Sequence, residues 1–507
     1  MRPSPFRRRG ERRGLRLWPV GPVLALSFVA AVLVAASVFA AAWSLLGVQG
    51  VKAEARIDSR TLFDLVKLSF GVVAGAGALV ALVVAYRRQR VDEDGALREA
   101  IRLHTERFSS AVGQLGDASV AVRLGGVHAL AGLADDAPTR ALRQTCLDVL
   151  CAYLRLPWTA EADLAADDRD GRHTFLALRE VRHTVIRLIR DHLRLESDHP
   201  HSWQGHDLDF TGVAFDGGDF SGAVFSGGTV TFRNAEFHGG TVMFTKAVFR
   251  GGSVDFTKAV FSGGRVDFEG TVFSGGSVSF RGAVFSGGMV HFTGAEMSAA
   301  AVVFQGAVFS GGSVHFMDVR FSGAAVSFVG AEFCGGQVDF GKAGFSGGTV
   351  NFTGSAFSAG EVGFWGTEFS GGTVHFTGST FSGAMLRFRR AEFTDGRVNF
   401  TGSEFSGSRA DFVGSSFSGG TVNFTGLTFS SGMLSFVESA FSAGEVNFTG
   451  TRFRGGLVDF GGADFSGGTV NFTGATAERG GTVDLAAASG RVPEPPGPAS
   501  PPPNWTR

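Results

Sequence analysis

The sequence predicts a mixed architecture: two transmembrane helices, a small all-α segment, and a long parallel β-helix of stacked coils. Three observations carry this reading. Two uncharged apolar runs stand near the N-terminus, apolar residues then recur at helical spacing, and from Phe210 onward the phenylalanines fall at a fixed period. Composition agrees, because 75 Gly and 51 Phe against 2 Tyr in 507 residues is repeat usage rather than ordinary globular usage. Charged residues make up 18% and the formal net charge is −1, so no global field draws the chain onto nucleic acid.

Val20 to Leu46 runs without a charge, and about 20 apolar residues cross the hydrocarbon core. Leu68 to Tyr86 is a second uncharged run, followed directly by Arg87, Arg88 and Arg90. Cytoplasmic flanks carry the excess of Lys and Arg. Arg2, Arg7, Arg8, Arg9, Arg12, Arg13 and Arg16 precede the first run. The connection at 47–67 holds only Lys52, Arg56, Arg60 and the flanking Lys67, with Glu54 and Asp58 offsetting them. The expectation is a hairpin in the plasma (inner) membrane with the N-terminus (1–19) and C-terminus both cytoplasmic. A cleaved secretory signal ending near Ala40-Ala41-Ala42 is the competing reading, and it places the C-terminal mass on the same side. Gly71 and Gly75 form a small-xxx-small pair that lets a helix approach closely, or reflect ordinary glycine usage in membrane helices.

Residues 87–200 read as a cytoplasmic helical segment. Leu97, Ile101, Phe108, Val112 and Leu115 share one helical face, and Val122–Ala134, Ala141–Leu156 and Phe175–Leu195 follow. Pro138, Pro157 and the acidic stretch Glu161–Gly171 mark breaks. Three cysteines, Cys146, Cys151 and Cys334, lack paired or CxxC spacing, which excludes a disulfide scaffold and a Cys-rich zinc site. Cys146 and Cys151 read as core packing. His199, His201 and His206 cluster without a ligand spacing and read as solvated linker histidines rather than a metal site.

Phenylalanines at 210, 215, 220 and 225 are five apart; from Phe232 to Phe472 they alternate in steps of five and seven. Twenty-one units of twelve residues result, in which only Met297 and Ala477 replace the second Phe. Val stands two residues before the first Phe except at Leu386, Ala410 and Leu434, and a small residue usually stands two before the second. Residues i and i−2 share a side of a strand, so these pairs point inward and the residue between faces out. Ser-Gly-Gly supplies a turn. One twelve-residue coil is too narrow for two Phe and a Val, and NFTG or HFTG recurs every 24 residues. About 24 residues per coil follows, in ten or eleven coils, over 206–485. A Pro-rich stretch at 486–507 reads as a disordered tail.

The units VAFDG, GDFSG and AVFSG (Val213–Gly227), then VDFTK and VNFTG, resemble the pentapeptide-repeat family. The resemblance implies a right-handed, four-sided β-helix with the central residue inside. Two extra residues in every second unit depart from the family's 20-residue square and imply an oblong 24-residue coil. RLGGVHALAGLA and its neighbours resemble the cytoplasmic part of membrane-anchored pentapeptide-repeat proteins common in actinobacteria.

No P-loop, HExxH, GxSxG or dinucleotide fingerprint is present, so the expectation is no enzyme, no cofactor and no metal. His238, His291, His315 and His375 fall at outward positions of separate coils or in turns. Asn351, His375, Asn399, Asn423, Asn447 and Asn471 form a candidate outward ladder, which is either a binding face or a structural amide stack. Their N-F-T triplets match a glycosylation sequon that a cytoplasmic location makes incidental. The functional expectation is a membrane-anchored scaffold that offers the β-helix to a cytoplasmic protein, with the bilayer as second partner and a homo-oligomer through open end coils. The alternative is an inhibitor or immunity-type protein that mimics DNA toward an enzyme such as gyrase. Residues 206–485 hold 24 Asp or Glu against 16 Lys or Arg, a balance of −8, which is mild for such mimicry.

Overall fold

A computed structural model describes residues 20–45, 58–157, 164–165, 167–298, 301–477, 481–491 and 504–506. The chain divides into two compact units, Met1–Leu103 and His104–Arg507. In the first, helix α1 (Val20–Leu45) covers the first apolar run, and α2 (Ser59–Leu115) contains the second. Among the described residues, α2 is the one helix long and apolar enough to cross a membrane by length and composition. The expected pair of spans is thereby reduced to one candidate. The basic stretch at 1–19 and most of the connection lie outside the described residues.

The second run also does not end at Tyr86. Its basic and acidic flank contains no breaker, and i,i+4 pairs bridge it: Arg90 Nε donates to Tyr86 Oη at 3.1 Å and Gln89 Nε2 to Glu93 Oε1 at 3.1 Å. The apolar segment and the first helix of the following segment, expected as separate elements, are one 57-residue helix.

In the second unit, the end of α2 packs with α3 (Val120–Asp135), α4 (Arg140–Leu154) and α5 (Arg169–Leu193). Thr139 caps α4 by accepting from Leu142 N at 3.3 Å, and Asp168 caps α5 by accepting from Gly171 N at 2.8 Å. Val127, Leu130, Leu147, Leu150, Val181 and Val185 fill the core together with Cys146 and Cys151. A Cβ on Gly126 would lie 2.7 Å from Leu115 N, so glycine there lets α3 press against α2.

The helical segment packs directly on the solenoid. Together α4 and α5 close the first coil of the solenoid, and one continuous hydrophobic core runs from Leu130 and Ile189 into Phe210 and Phe220. An end coil has unpaired edges and exposed rings, and an amphipathic helix pair covers both. Gly218 makes the approach possible, since a Cβ there would sit 2.9 Å from Ile186 Cδ1. The closure is also charged: Arg155 pairs with Asp209, Arg190 with Asp219, and Arg182, buried, donates to Leu154 O at 2.7 Å and Ala214 O at 2.6 Å. Arg179 Nε lies 2.9 Å from Asp216 Oδ2 at an angle too poor for a hydrogen bond. Of the clustered histidines, His206 lies buried in this junction, while His199 and His201 are exposed as expected. His206 is 5% exposed and shares Gln144 Oε1 at 3.1 Å, and the His192 ring stacks on Trp203 at 3.9 Å.

The solenoid is a parallel β-helix of right-handed type with four faces and twelve coils, one or two more than the repeat count implied. The first face runs from Leu208–Asp209 to Thr469–Asn471, the second from Ala214–Phe215 to Thr476–Ala477, the third from Gly218–Asp219 to Thr482–Asp484, and the fourth from Val224–Phe225 to Ser489–Gly490. Pairings such as Val278↔Val302 and Phe285↔Phe309 fix the coil at 24 residues. The ends deviate: Leu208↔Val230 spans 22 residues and Val458↔Val483 spans 25. Eight-residue strands at Glu332–Asp339, Ala356–Gly363, Glu404–Asp411 and Thr428–Ser435 run through the corner between the second and third faces and merge them into one sheet.

The interior is a set of phenylalanine columns. Rings one coil apart stack at 4.6 Å and 4° for Phe232 and Phe256, while Phe256 and Phe268, half a coil apart, meet edge to face at 6.1 Å and 85°. The stack breaks at Phe429, which lies 6.1 Å and 59° from Phe405 and 6.2 Å and 81° from Phe453. Ala410 and Leu434, two of the three departures from valine, are the neighbours at this level.

Each unit turns at Phe-x-Gly-x, where Val213 N donates to Phe210 O at 3.1 Å and Gly212 takes φ +69°. Asn234, Lys246, Lys258, Asp318, Lys342, Arg390, Glu438 and Ala487 occupy this slot in other coils, with φ between 53° and 59°. A left-handed conformation at a side-chain-bearing residue costs roughly 1–2 kcal/mol. Lys258→Gly is therefore expected to stabilise the solenoid by about 1 kcal/mol, read as a raised midpoint in a denaturant titration of the full chain.

At the C-terminal end, Ser489–Gly490 lies on the fourth face and Asn504–Thr506 pairs in parallel with Thr482–Asp484. The expected disordered tail thus contributes two strands, and the intervening Pro-rich residues 492–503 lie outside the described residues.

Candidate functional site

The outward ladder is assembled as its spacing implies. Asn351, His375, Asn399, Asn423, Asn447 and Asn471 occupy consecutive coils of the first face, each registered on the next. All six are half-buried. The asparagines close local turns: Asn351 Oδ1 accepts from Thr353 N at 2.8 Å, and Asn399, Asn423, Asn447 and Asn471 accept from the N–H two residues on at 2.9 Å. Thr401, Thr425 and Thr449 hydroxyls donate to the same oxygens at 2.5 Å. The amide acceptors are thus committed to the fold.

Aspartates play the same part on both turn-bearing faces. Asp255 accepts from Thr257 N at 2.9 Å and Asp339 from Gly341 N at 2.8 Å. This explains why the slot before the first Phe favours Asp, Asn or Ser. It also consumes much of the acidic excess, and arginines neutralise more: Asp255 with Arg233 at 2.5 Å, Asp267 with Arg265 at 2.6 Å, Asp411 with Arg389 at 2.9 Å, and Glu361 with Arg387 at 2.8 Å. Hydrogen bonds from the N–H and hydroxyl of Thr257, with Arg233, outweigh burial and hold the Asp255 carboxyl below its ordinary range.

Two features on the third and fourth faces were not foreseen. His291 and His315 lie in separate coils as expected, but these coils are adjacent, and the two rings are registered neighbours 4.8 Å apart at 30°. Their spacing of one coil was the available signal, and it carries meaning only once the coil length is known. Burial first, then Arg265, lowers the His291 pKa; burial also dominates the lowering at His315. The other feature is Trp365, in the GFWG unit, 44% exposed at the corner between those faces with Lys342 Nζ 5.3 Å from its ring centroid. Among the described residues of the solenoid, the exposed large hydrophobic side chains are Trp365 and Met289.

The cysteines divide by environment. Burial pushes the Cys146 thiol up to about 11 and the Cys151 thiol up to about 12, so neither is a nucleophile, while Cys334 is exposed and free. Among the described residues, no group of three His, Cys, Asp or Glu is placed to hold a metal ion.

The four short inward-pointing runs of the first coil and those after it match a family model described as pentapeptide repeats (9 copies) over residues 210–260. This stretch consists of pentapeptide repeats. The matched residues take in the unbroken five-residue steps from Phe210 to Phe225 and the first of the alternating five- and seven-residue steps, and the later pentapeptide-like coils continue that alternation in the same register. Pentapeptide-repeat solenoids are generally structural or interaction modules without catalysis. No curated protein and no solved structure matches the chain.

Proposed function

We propose that this chain is a membrane-tethered interaction module: the apolar part of α2 anchors it, and the pentapeptide-type solenoid meets a protein partner in the cytoplasm. The observation that carries the reading is the solenoid itself. Twelve coils repeat a fixed outer lattice, with Asn or Asp closing turns in most of them, which is the construction of a recognition surface. Anchoring is supported by the apolar length of α2 and by the arginines at its flank. DNA mimicry is disfavoured by the arginine pairing of Asp255, Asp267 and Asp411, which interrupts any acidic stripe.

Cys334 offers a direct test of placement, because the other two thiols are buried. The chain is expected to resist alkaline extraction from membranes, and a membrane-impermeant maleimide is expected to label Cys334 only after permeabilisation. Labelling in intact cells would put the solenoid on the opposite side, and alkaline release would remove the anchor. For the interaction, crosslinked capture of the full chain is expected to lose its partner when residues 210–485 are deleted. Retention of the same partner would move recognition to the helices, and recovery of gyrase would favour the mimicry alternative.

A further inference from the structure

The third face carries a donor set that the repeat does not require. Strand Met289–His291 pairs in parallel with strand Ser313–His315, with Met289 opposite Ser313 and His291 opposite His315. Val290 and Val314 point inward, so Met289 and His291 emerge on the same outer side of one strand and His315 emerges beside them on the next. Two residues at i and i+2 on one strand plus a registered residue on its neighbour make a three-point platform, and Ser313 at the fourth position takes up little room. The slot filled by His291 and His315 holds Asp267 one coil before and Asp339 one coil after. Neither imidazole closes the turn that those aspartates close.

Two observations point to a missing occupant. His291 Nε2 and His315 Nδ1 are buried without a hydrogen-bond partner, on rings 4.8 Å apart. Unpaired ring nitrogens are costly unless something accepts or donates there. Met289 is 44% exposed, and among the described residues of the solenoid Trp365 is the one other large apolar side chain so exposed. The surrounding charges do not supply the partner: Arg265 is engaged with Asp267 at 2.6 Å, and Asp339 accepts from its own turn.

We propose that Met289, His291 and His315 bind copper(I) on the outer surface of the third face. The donor set argues for this ion: a thioether with two imidazoles is soft, and it lacks the carboxylate or carbonyl oxygens that suit magnesium, calcium or manganese. Thioether ligation distinguishes copper(I) from zinc(II), whose sites draw on thiolate, imidazole and carboxylate. This site stands whether or not the solenoid is membrane-tethered, since it uses only side chains of three coil positions.

The test uses the full-length, detergent-solubilised chain carrying Cys334→Ser, which removes the exposed thiol as a competing ligand. Copper(I) is titrated anaerobically against a chromogenic copper(I) chelator, and zinc(II) is titrated in parallel. The expected result is one copper(I) withdrawn per chain, with slower amide exchange at 289–291 and 313–315. His291→Gln and His315→Gln are each expected to weaken binding by about tenfold or more, and Met289→Leu to weaken copper(I) while leaving zinc(II) unchanged. Exchange elsewhere in the solenoid is expected to stay as in the parent, which separates ligand loss from misfolding. Failure to withdraw copper(I), or equal binding by all three variants, would overturn the proposal. A Met289→Leu chain that binds copper(I) as tightly as the parent would overturn it as well.

Discussion

Phe304→Ala is expected to destabilise the solenoid by about 4 kcal/mol, the cost of removing a fully buried ring and leaving a cavity. Phe304 is 0% exposed and stacks on Phe280 and on Phe328 at 4.7 Å and 4° in each case, with Phe292 and Phe316 edge-on at 6.4 and 5.9 Å. Phe285 and Phe309 meet it tilted at 6.1 and 6.3 Å, so six ring contacts are lost at once, and the closed section gives the neighbours little freedom to collapse. Because each coil contacts mainly the coils beside it, the damage stays local. Amide exchange of the full chain checks this: protection is expected to fall around 280–328 and to persist near the helical closure. A uniform fall along the solenoid would mean that the coils open as one cooperative body. Phe429 is the contrasting position, since its ring is already out of the stack, and Phe429→Ala is expected to cost less.

Acidification from pH 6.5 to about 4 is expected to remove about 3 kcal/mol of stability through His206. Burial, then Arg140 and Arg143, depress its pKa from 6.5 to about 4. The unfolded chain binds the proton first, so the folded state is at full strength above pH 6.5. It weakens as pH falls toward 4, below which both states are protonated and the loss is complete. His192 works in a separate window. Although burial opposes it, hydrogen bonds to Asp135 and Leu188 O raise its pKa above 6.5, so its contribution is complete below 6.5 and fades as pH rises through the raised value. Asp135, Asp209 and Asp219 have lowered pKa values despite burial, and their contributions are lost only below 3.8. A stability maximum near pH 6.5 follows. The measurement is a denaturant midpoint at several pH values for the parent and for His206→Asn, which keeps a polar side chain and does not titrate. The variant is expected to lose most of the slope between pH 6.5 and 4. An unchanged slope would place the acid sensitivity elsewhere, with the stacked His291 and His315 next in line.

The legibility of this chain follows from how locally each feature is encoded. Inward Phe232, Val230 and Ala235 are readable because strand alternation repeats in every unit and needs no knowledge of neighbours. The 24-residue coil is readable from the spacing of Asn399, Asn423 and Asn447, and the register Asn399↔Asn423↔Asn447 agrees. The turn-closing role of those asparagines is also local, since the acceptor and the N–H are two residues apart. The left-handed slot at Lys246 and Lys258 escaped notice because glycine in the other coils marks the conformation without showing which side chains tolerate it.

The sequence by itself determined the solenoid, its coil length, its inward residues and the apolar stretch within α2, because a short rule repeated in register leaves one way to bury the rings. Only the tertiary structure decided the rest. The closure of the first coil depends on Ile186 meeting Gly218 and on Arg182 reaching Ala214 O, contacts between residues about thirty apart that no period announces. The uninterrupted course of α2 was settled by flank pairing where composition had indicated a boundary. The pairing of Asn504–Thr506 with Thr482–Asp484 and the meeting of His291 with His315 came from the same source. Local pattern sets what each residue prefers, and packing between distant segments sets which of those preferences meet.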